Sequence, residues 1–158
     1  MPVIVIRDLD DPELAPYRDL KHHTRSGCGD FVVESSLVIE RLLQSRYQIH
    51  SMLLTPKRYE TLEAHIPECI PTYVGSKTII SQIAGFDVHR GCLARVSAPK
   101  DKLSLTEHLQ VAKPRLVLIL EGLADPTNVG SSIRNGAAFG VDLVIADPRG
   151  ASPFSRRA

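Results

Sequence analysis

Apolar runs alternate with polar, capped segments along the chain, dividing it into strand-like and helix-like pieces. "FVVES" is short and apolar, as a strand requires, and "SLVIERLLQSR" follows a serine cap with Leu37, Ile39, Leu42 and Leu43 in helical spacing. Strand character returns in "IHSMLLT", so the three pieces read as a β-α-β unit. Further on, "PKRYETLEAHI" is a helix opened by Pro56, "PTYVG" a strand, "SKTIISQIAG" a helix closed by Gly85, and "GCLARVS" a strand in which apolar and polar residues alternate. Upstream, "PELAPYRDL" reads as a short helix with Pro12 in its first turn, leading into "KHHTRSGCGD", a loop of basic and small residues. Residues 1–97 are therefore expected to form one small α/β domain.

Residues 98–113 break this rhythm. Pro- and Lys-containing pieces flank a segment in which Ser104 precedes Glu107 by three residues, the spacing of a capping box, so a linker carrying a short helix is expected. From Arg90 to Arg115 six basic residues (Arg90, Arg95, Lys100, Lys102, Lys113 and Arg115) face only Asp101 and Glu107. Such a stretch is either a solvated linker or part of a path for a polyanion.

Residues 114–158 open on "RLVLIL", nearly continuous aliphatic, as suits a parallel strand covered on both faces. Pro126 cannot continue a central strand, so the chain leaves the sheet there. Asn128 is placed to cap a helix whose apolar side is set by Val129, Ile133 and Ala137, and Gly140 suits a left-handed end before "VDLVIA". This second β-α-β unit puts its loop at the carboxyl end of a strand, where open α/β sheets tend to bind ligands. Thr127, Gly130 and Arg134 share one side of the helix, and a glycine one turn before Arg134 leaves the guanidinium stem uncovered. A planar five-donor group near a helix start suits a phosphate or a ribose-phosphate backbone. Two blander roles stand beside these: Arg134 pairing with Asp125, and Asn128 as a plain cap.

Composition narrows the function classes. A chain of 158 residues, 43% hydrophobic and 23% charged, is ordinary globular protein and not a disordered one. A net charge of +1 leaves a nucleic-acid partner open, since the distribution of basic residues decides that question. Cys28, Cys69 and Cys92 are odd in number and scattered, so no metal site or disulfide framework is expected and a reducing compartment fits. The N-terminus is apolar for only four residues before Arg7, unlike a secretory signal, and no run approaches a membrane span, giving a cytoplasmic expectation. Neither G-x-G-x-x-G nor G-x-x-x-x-G-K-[ST] occurs, which sets aside a nucleotide-dependent dehydrogenase.

The pattern D-P-x-N-x-G-x-x-x-R followed by F-G, carried by Asp125, Pro126, Asn128, Gly130, Arg134, Phe139 and Gly140, resembles the first motif of the SpoU/TrmH-like RNA 2′-O-ribose methyltransferases of the SPOUT superfamily. "GDFVVES" with its following helix, and "IAGFDVHRGCLARV", resemble the L30e-like RNA-binding domain of that family. The implied fold is α/β: an N-terminal L30e-like α/β/α sandwich, then the first β-α-β of a SPOUT trefoil-knot domain. The implied activity is methyl transfer from S-adenosylmethionine to a ribose 2′-hydroxyl in tRNA or rRNA, by a homodimer when complete. Arg134 would be the catalytic arginine and Asn128 would shape its pocket, with Asp125, Pro126, Gly130, Phe139 and Gly140 as scaffold. RNA would be captured by Arg18, Lys21, His22, His23 and Arg25, the basic junction from Arg90 continuing the path. Ser35 and Gly136 stand where the family commonly has Gly and Ala. The second and third motifs, which hold the donor and build the dimer, do not follow "DPRGASPFSRRA", so the chain reads as the N-terminal part of a longer enzyme, inactive alone and unable to hold S-adenosylmethionine. The alternative is a non-catalytic RNA-binding module.

Overall fold

The computed structural model describes residues 3–18, 20, 29–99 and 104–158. They fall into two compact units, one through Ala98 and the other from Pro99 to Ala158.

The first unit is built on five strands. β1 (Val3–Val5) is followed by a short 3-10 helix (Pro12–Tyr17), β2 (Asp30–Glu34), α1 (Ser36–Leu43), β3 (Ile49–Leu54), α2 (Pro56–Leu62), a 3-10 turn (Glu63–His65), β4 (Thr72–Val74), α3 (Lys77–Ala84) and β5 (Cys92–Ser97). The spatial order is β1-β4-β3-β5-β2. β1 and β3 run parallel to β4, whereas β5 is antiparallel to both β3 and β2. β2 and β3 are thus parallel, but β5 lies between them, so the β-α-β unit read from the sequence is split by a strand that arrives later.

Period-two alternation sends successive side chains of the inner strands to opposite faces. On β3, Leu53 joins Leu14, Tyr17, Ile80, Ile83 and Leu93 on one side, and Met52 and Leu54 join Ile39, Leu42, Leu62 and Ile66 on the other. β5 is covered on both faces, with Cys92, Leu93, Ala94 and Val96 all buried, rather than showing the half-exposed alternation expected of it. The upstream helix is a 3-10 helix of six residues with Pro16 inside it, which has no N–H to give to a preceding carbonyl, and it ends where Arg18 turns to extended backbone. The apolar N-terminal run forms β1, an edge strand with all three residues exposed. The serine cap expected before α1 is not formed, since the Ser35 hydroxyl makes no hydrogen bond to the helix, whereas Ser76 caps α3 through its Oγ and Gly85 closes it in the left-handed conformation at φ 75°.

The second unit holds α4 (Leu105–Ala112), β6 (Val117–Leu120), α5 (Pro126–Ala138) and β7 (Leu143–Ala146). The capping box at α4 is formed: Glu107 N–H donates to Ser104 Oγ at 3.3 Å and Ser104 N–H to Glu107 Oε2 at 2.7 Å. β6 and β7 pair in parallel, Val117 with Leu143 through Leu120 with Ala146, joined by α5. Leu118 faces α5, so Ile119 points away from it and is 66% exposed.

Candidate active site and nucleic-acid interface

α5 starts one residue after Asp125 because Pro126 suits the first helical position, where its missing N–H costs nothing. The cap therefore falls to Asp125, whose Oδ1 accepts from the Thr127 N–H at 2.6 Å, and not to Asn128, which lies inside the first turn. That hydrogen bond holds the Asp125 carboxyl below its ordinary range. The buried stripe of α5 consists of Val129, Gly130 and Gly136 with Ile133 half-buried, whereas Ala137 is exposed. A Cβ on Gly136 would stand 3.0 Å from Leu118 Cδ2 and 3.3 Å from Val141 Cγ2, so the glycine sits where helix and strand approach most closely. The helix ends in a Schellman motif: Val141 N–H donates to Gly136 O at 2.9 Å and Gly140 N–H to Ala137 O at 3.1 Å, with Gly140 at φ 76°. Phe139 is 81% exposed, so in this unit its backbone N–H serves the helix end while its ring packs no core.

Arg134 and Asn128 are both exposed. Thr127, Gly130 and Arg134 share one side of α5, as their spacing requires. What covers Gly130 is the backbone of Ala158: a Cβ there would lie 2.8 Å from Ala158 Cα and closer still to its carbonyl group. Arg134 Nη1 donates to the same carbonyl at 3.4 Å. Gly130 thus admits a chain segment rather than merely baring the arginine stem. The alternative pairing of Arg134 with Asp125 is not formed; the Asp125 carboxylate accepts from the Thr127 N–H instead.

At the carboxyl ends of β6 and β7 the chain closes on itself. Ala151 N–H donates to Leu123 O at 2.7 Å, and a Cβ on Gly150 would meet Leu123 O at 3.0 Å. Asp147 receives the Arg149 backbone N–H at 2.9 Å and its Nη2 at 2.9 Å, and this guanidinium contact holds the Asp147 carboxyl below its usual range. The Asp147–Arg149 pair was not anticipated; its signal is Asp-Pro-Arg-Gly directly after a strand, an Asx-turn sequence.

Of the expected RNA-binding residues, Lys21, His22, His23 and Arg25 lie outside the described residues. Arg18 is half-buried, and its Nη2 donates to Leu9 O at 2.8 Å and Asp11 O at 2.9 Å. It ties down the loop before the 3-10 helix instead of projecting toward a ligand. Arg90 is exposed beside a residue the sequence reading passed over, Arg58, whose Nε donates to Arg90 O at 3.0 Å. Burial raises the Cys92 thiol above its ordinary value, with the charges of Arg58 and Arg90 opposing that shift. His50 Nε2 lies 2.7 Å from Ser97 Oγ and 3.3 Å from Asp30 Oδ1, while Arg95 Nε donates to Asp30 Oδ2 at 2.7 Å. One ring nitrogen serves both partners, so the Ser-His-Asp relay of a hydrolase, which needs both ring nitrogens, is not built. Among the described residues no three His, Cys, Asp or Glu are placed to hold a metal ion, and no helix is long and apolar enough to cross a membrane.

No protein-family model matches the chain. It is 33% identical over 158 aligned positions to an uncharacterized tRNA/rRNA methyltransferase of Mycobacterium tuberculosis, covering 96% of this chain and 54% of the relative. It is 34% identical over 88 positions to the 23S rRNA (guanosine-2′-O-)-methyltransferase RlmB of Neisseria meningitidis, covering 55% of this chain and 35% of the relative. Among solved structures, an rRNA methyltransferase from Sinorhizobium meliloti matches with a TM-score of 0.72 at 19% identity, over 99% of this chain and 60% of that one. The SpoU methyltransferase AviRb from Streptomyces viridochromogenes matches with a TM-score of 0.70 at 16% identity, over 93% and 55%. The chain spans about half the length of the relatives it matches most fully. The solved structures share its mixed α/β fold, and over the part of its relatives that it spans the chain is similar in sequence to proteins named tRNA/rRNA methyltransferase and 23S rRNA (guanosine-2′-O-)-methyltransferase.

Proposed function

We propose that the chain is the RNA-recognition part and first motif of an enzyme that transfers a methyl group from S-adenosylmethionine to a ribose 2′-hydroxyl of tRNA or rRNA in the cytoplasm. Residues 1–97 are an L30e-like RNA-binding domain, 98–113 a linker, and 114–158 the opening of a SPOUT domain that pairs with a second copy in the complete enzyme. The observation that carries the reading is Arg134: exposed, not paired with Asp125, and set on the same side of α5 as Gly130 in the motif Asp125–Arg134. A sugar hydroxyl is a weak nucleophile at neutral pH, so the protein's main contribution is to place it in line with the donor. A guanidinium does this by gripping the adjoining phosphate with paired N–H groups. Asn128, exposed in the first turn, lines the same approach. S-adenosylmethionine supplies the methyl group, and neighbours of this fold include an AdoMet-bound rRNA methyltransferase from Sinorhizobium meliloti.

A second reading, RNA binding without transfer, is favoured by the closure of the loops after β6 and β7 on one another. One experiment separates the two. Ribose methylation is mapped across tRNA and rRNA in cells lacking the gene. Transfer predicts that one position loses its 2′-O-methyl group and regains it with the wild-type gene, whereas unchanged maps would leave only the binding module.

A further inference from the structure

Two segments of the first unit are tied together at the end of the sheet where β3 runs into α2 and the chain enters β5. Leu54 pairs with Cys92 across these antiparallel strands, so the next residues, Thr55 and Gly91, lie opposite one another. The Thr55 N–H donates to Gly91 O at 2.9 Å, and the Gly91 N–H donates to Val88 O at 3.1 Å, closing the turn before β5. Gly91 is at φ 62°, and a Cβ there would lie 2.8 Å from Thr55 Cγ2 and 2.9 Å from its Oγ1, so glycine is what lets the turn come this close. A further tie joins two arginines: Arg58 Nε, in the first turn of α2, donates to Arg90 O at 3.0 Å. That bond fixes the Arg58 guanidinium and leaves its Nη groups for another partner. Arg58 is half-buried and Arg90 exposed. Burial raises the Cys92 thiol and the charges of both arginines oppose the rise, so both guanidiniums lie within electrostatic reach of one sulfur. Glu34, at the end of β2, reaches the same sulfur, leaving two positive charges against one. The neighbouring basic residues are engaged elsewhere: Lys77 and His89 face Asp87 at 2.9 and 3.1 Å, and His50 and Arg95 face Asp30. No ion pair joins Arg58 or Arg90 to a carboxylate among the described residues.

We infer that Arg58 and Arg90 form a clamp for one backbone phosphate of the RNA, held ready by the junction of Thr55 with Gly91. The inference rests on the proposed function for the identity of the polyanion, and it gives the first unit a point of attachment of its own. Like charges brought together repel, and an anion received between them removes that cost. A guanidinium held through Nε presents its Nη groups in a plane that suits phosphate oxygens, and holding it beforehand reduces the freedom lost on binding. Arg90 stands out in the sequence as part of a basic stretch, whereas Arg58, 32 residues earlier, joins it only through the pairing of β3 with β5. A phosphate contact of this kind fixes the register of the strand and reads no base.

The test is RNA binding by the full-length protein as its gene encodes it, with bulk tRNA and rRNA from the same cells as probes, titrated across a range of salt. Arg58→Ala and Arg90→Ala should each weaken binding to both RNAs and reduce the slope of log affinity against log salt by about 1. Because the two grip one phosphate, the double variant should lose less than the product of the single losses. Arg90→Lys should keep the slope and Arg90→Gln should lose it. Both leave the main-chain carbonyl that accepts from Arg58, so a purely structural role for residue 90 would separate neither from wild type. If wild-type protein binds RNA and both alanine variants match it in affinity and slope, the inference is wrong and the proposed function stands. Losses that multiply in the double variant, or a loss from only one of the two, would show that they share no phosphate, and the inference is equally wrong. Wild-type protein that binds no RNA would overturn both.

Discussion

Ser35 holds φ at 105°, a region that side chains with a Cβ rarely occupy, immediately before α1, and its hydroxyl makes no capping hydrogen bond. The strain therefore has no local compensation, and Ser35→Gly is expected to stabilise the first unit by about 1 kcal/mol, strain relief of roughly 1–3 kcal/mol outweighing the greater freedom of glycine in the unfolded chain. A denaturant midpoint that falls on this substitution would mean that the serine side chain contributes more than its backbone costs. The family resemblance already marked position 35 as one where glycine is usual; the torsion supplies the reason. Arg134 was likewise legible, because three-four spacing alone puts it on the side of Thr127 and Gly130. Asn128 was misread as the cap, since one residue earlier Pro126 fixes where the helix starts. The approach of the Ala158 backbone to Gly130 was not legible at all: it is a contact between residues distant in sequence, which no local pattern encodes.

At the scale of the element, α5 is held by close approaches at its two glycines. A methyl group at position 130 collides with the Ala158 backbone, which cannot rotate aside as a side chain would. Gly130→Ala should release residues 155–158 from the helix, seen as faster hydrogen exchange at Ala158 and loss of the Arg134 contact, with α5 itself intact. Unchanged protection would show that the segment is held elsewhere. Three carboxylates fasten the same unit. The Leu116 and Arg115 N–H groups donate to Asp142, the Thr127 N–H to Asp125, and Arg149 to Asp147, and each interaction holds its carboxyl below the ordinary value of 3.8. A depressed carboxylate contributes fully above its unfolded pKa and is lost as pH falls through the folded one. The unfolding midpoint of the second unit is therefore expected to be flat above about pH 4 and to fall below it, with Asp142→Asn removing part of the fall. A midpoint that stays level into acid would show these contacts do not hold the unit together. The β6-α5-β7 order could be read from sequence because aliphatic runs, Pro126 and Gly140 mark its corners. The split of the first β-α-β unit could not, because the antiparallel pairing of β5 between β2 and β3 is set by long-range packing.

For the whole molecule, two units bring different capacities to one proposed task. The first offers a five-stranded sheet covered on both faces, with Arg58 and Arg90 as neighbours, and the second offers the motif helix with Arg134. The basic residues that composition suggested for RNA capture divide accordingly: Arg18 is spent on the fold, whereas Arg90 remains exposed. Pattern reading found charge, but whether a guanidinium faces a carbonyl or solvent depends on loops whose course the pattern does not contain. The claim on which the account turns is that Arg134 acts in methyl transfer and not in folding or in RNA capture alone. The direct measurement is complementation: cells lacking the gene receive either the wild-type gene or Arg134→Ala, and 2′-O-methylation of the affected nucleotide is quantified beside protein level and RNA affinity. The account predicts a loss of transfer rate on the order of a hundredfold from misplacement of the ribose, with protein level unchanged and only modest weakening of RNA binding. Full methylation by Arg134→Ala at the wild-type rate would contradict it.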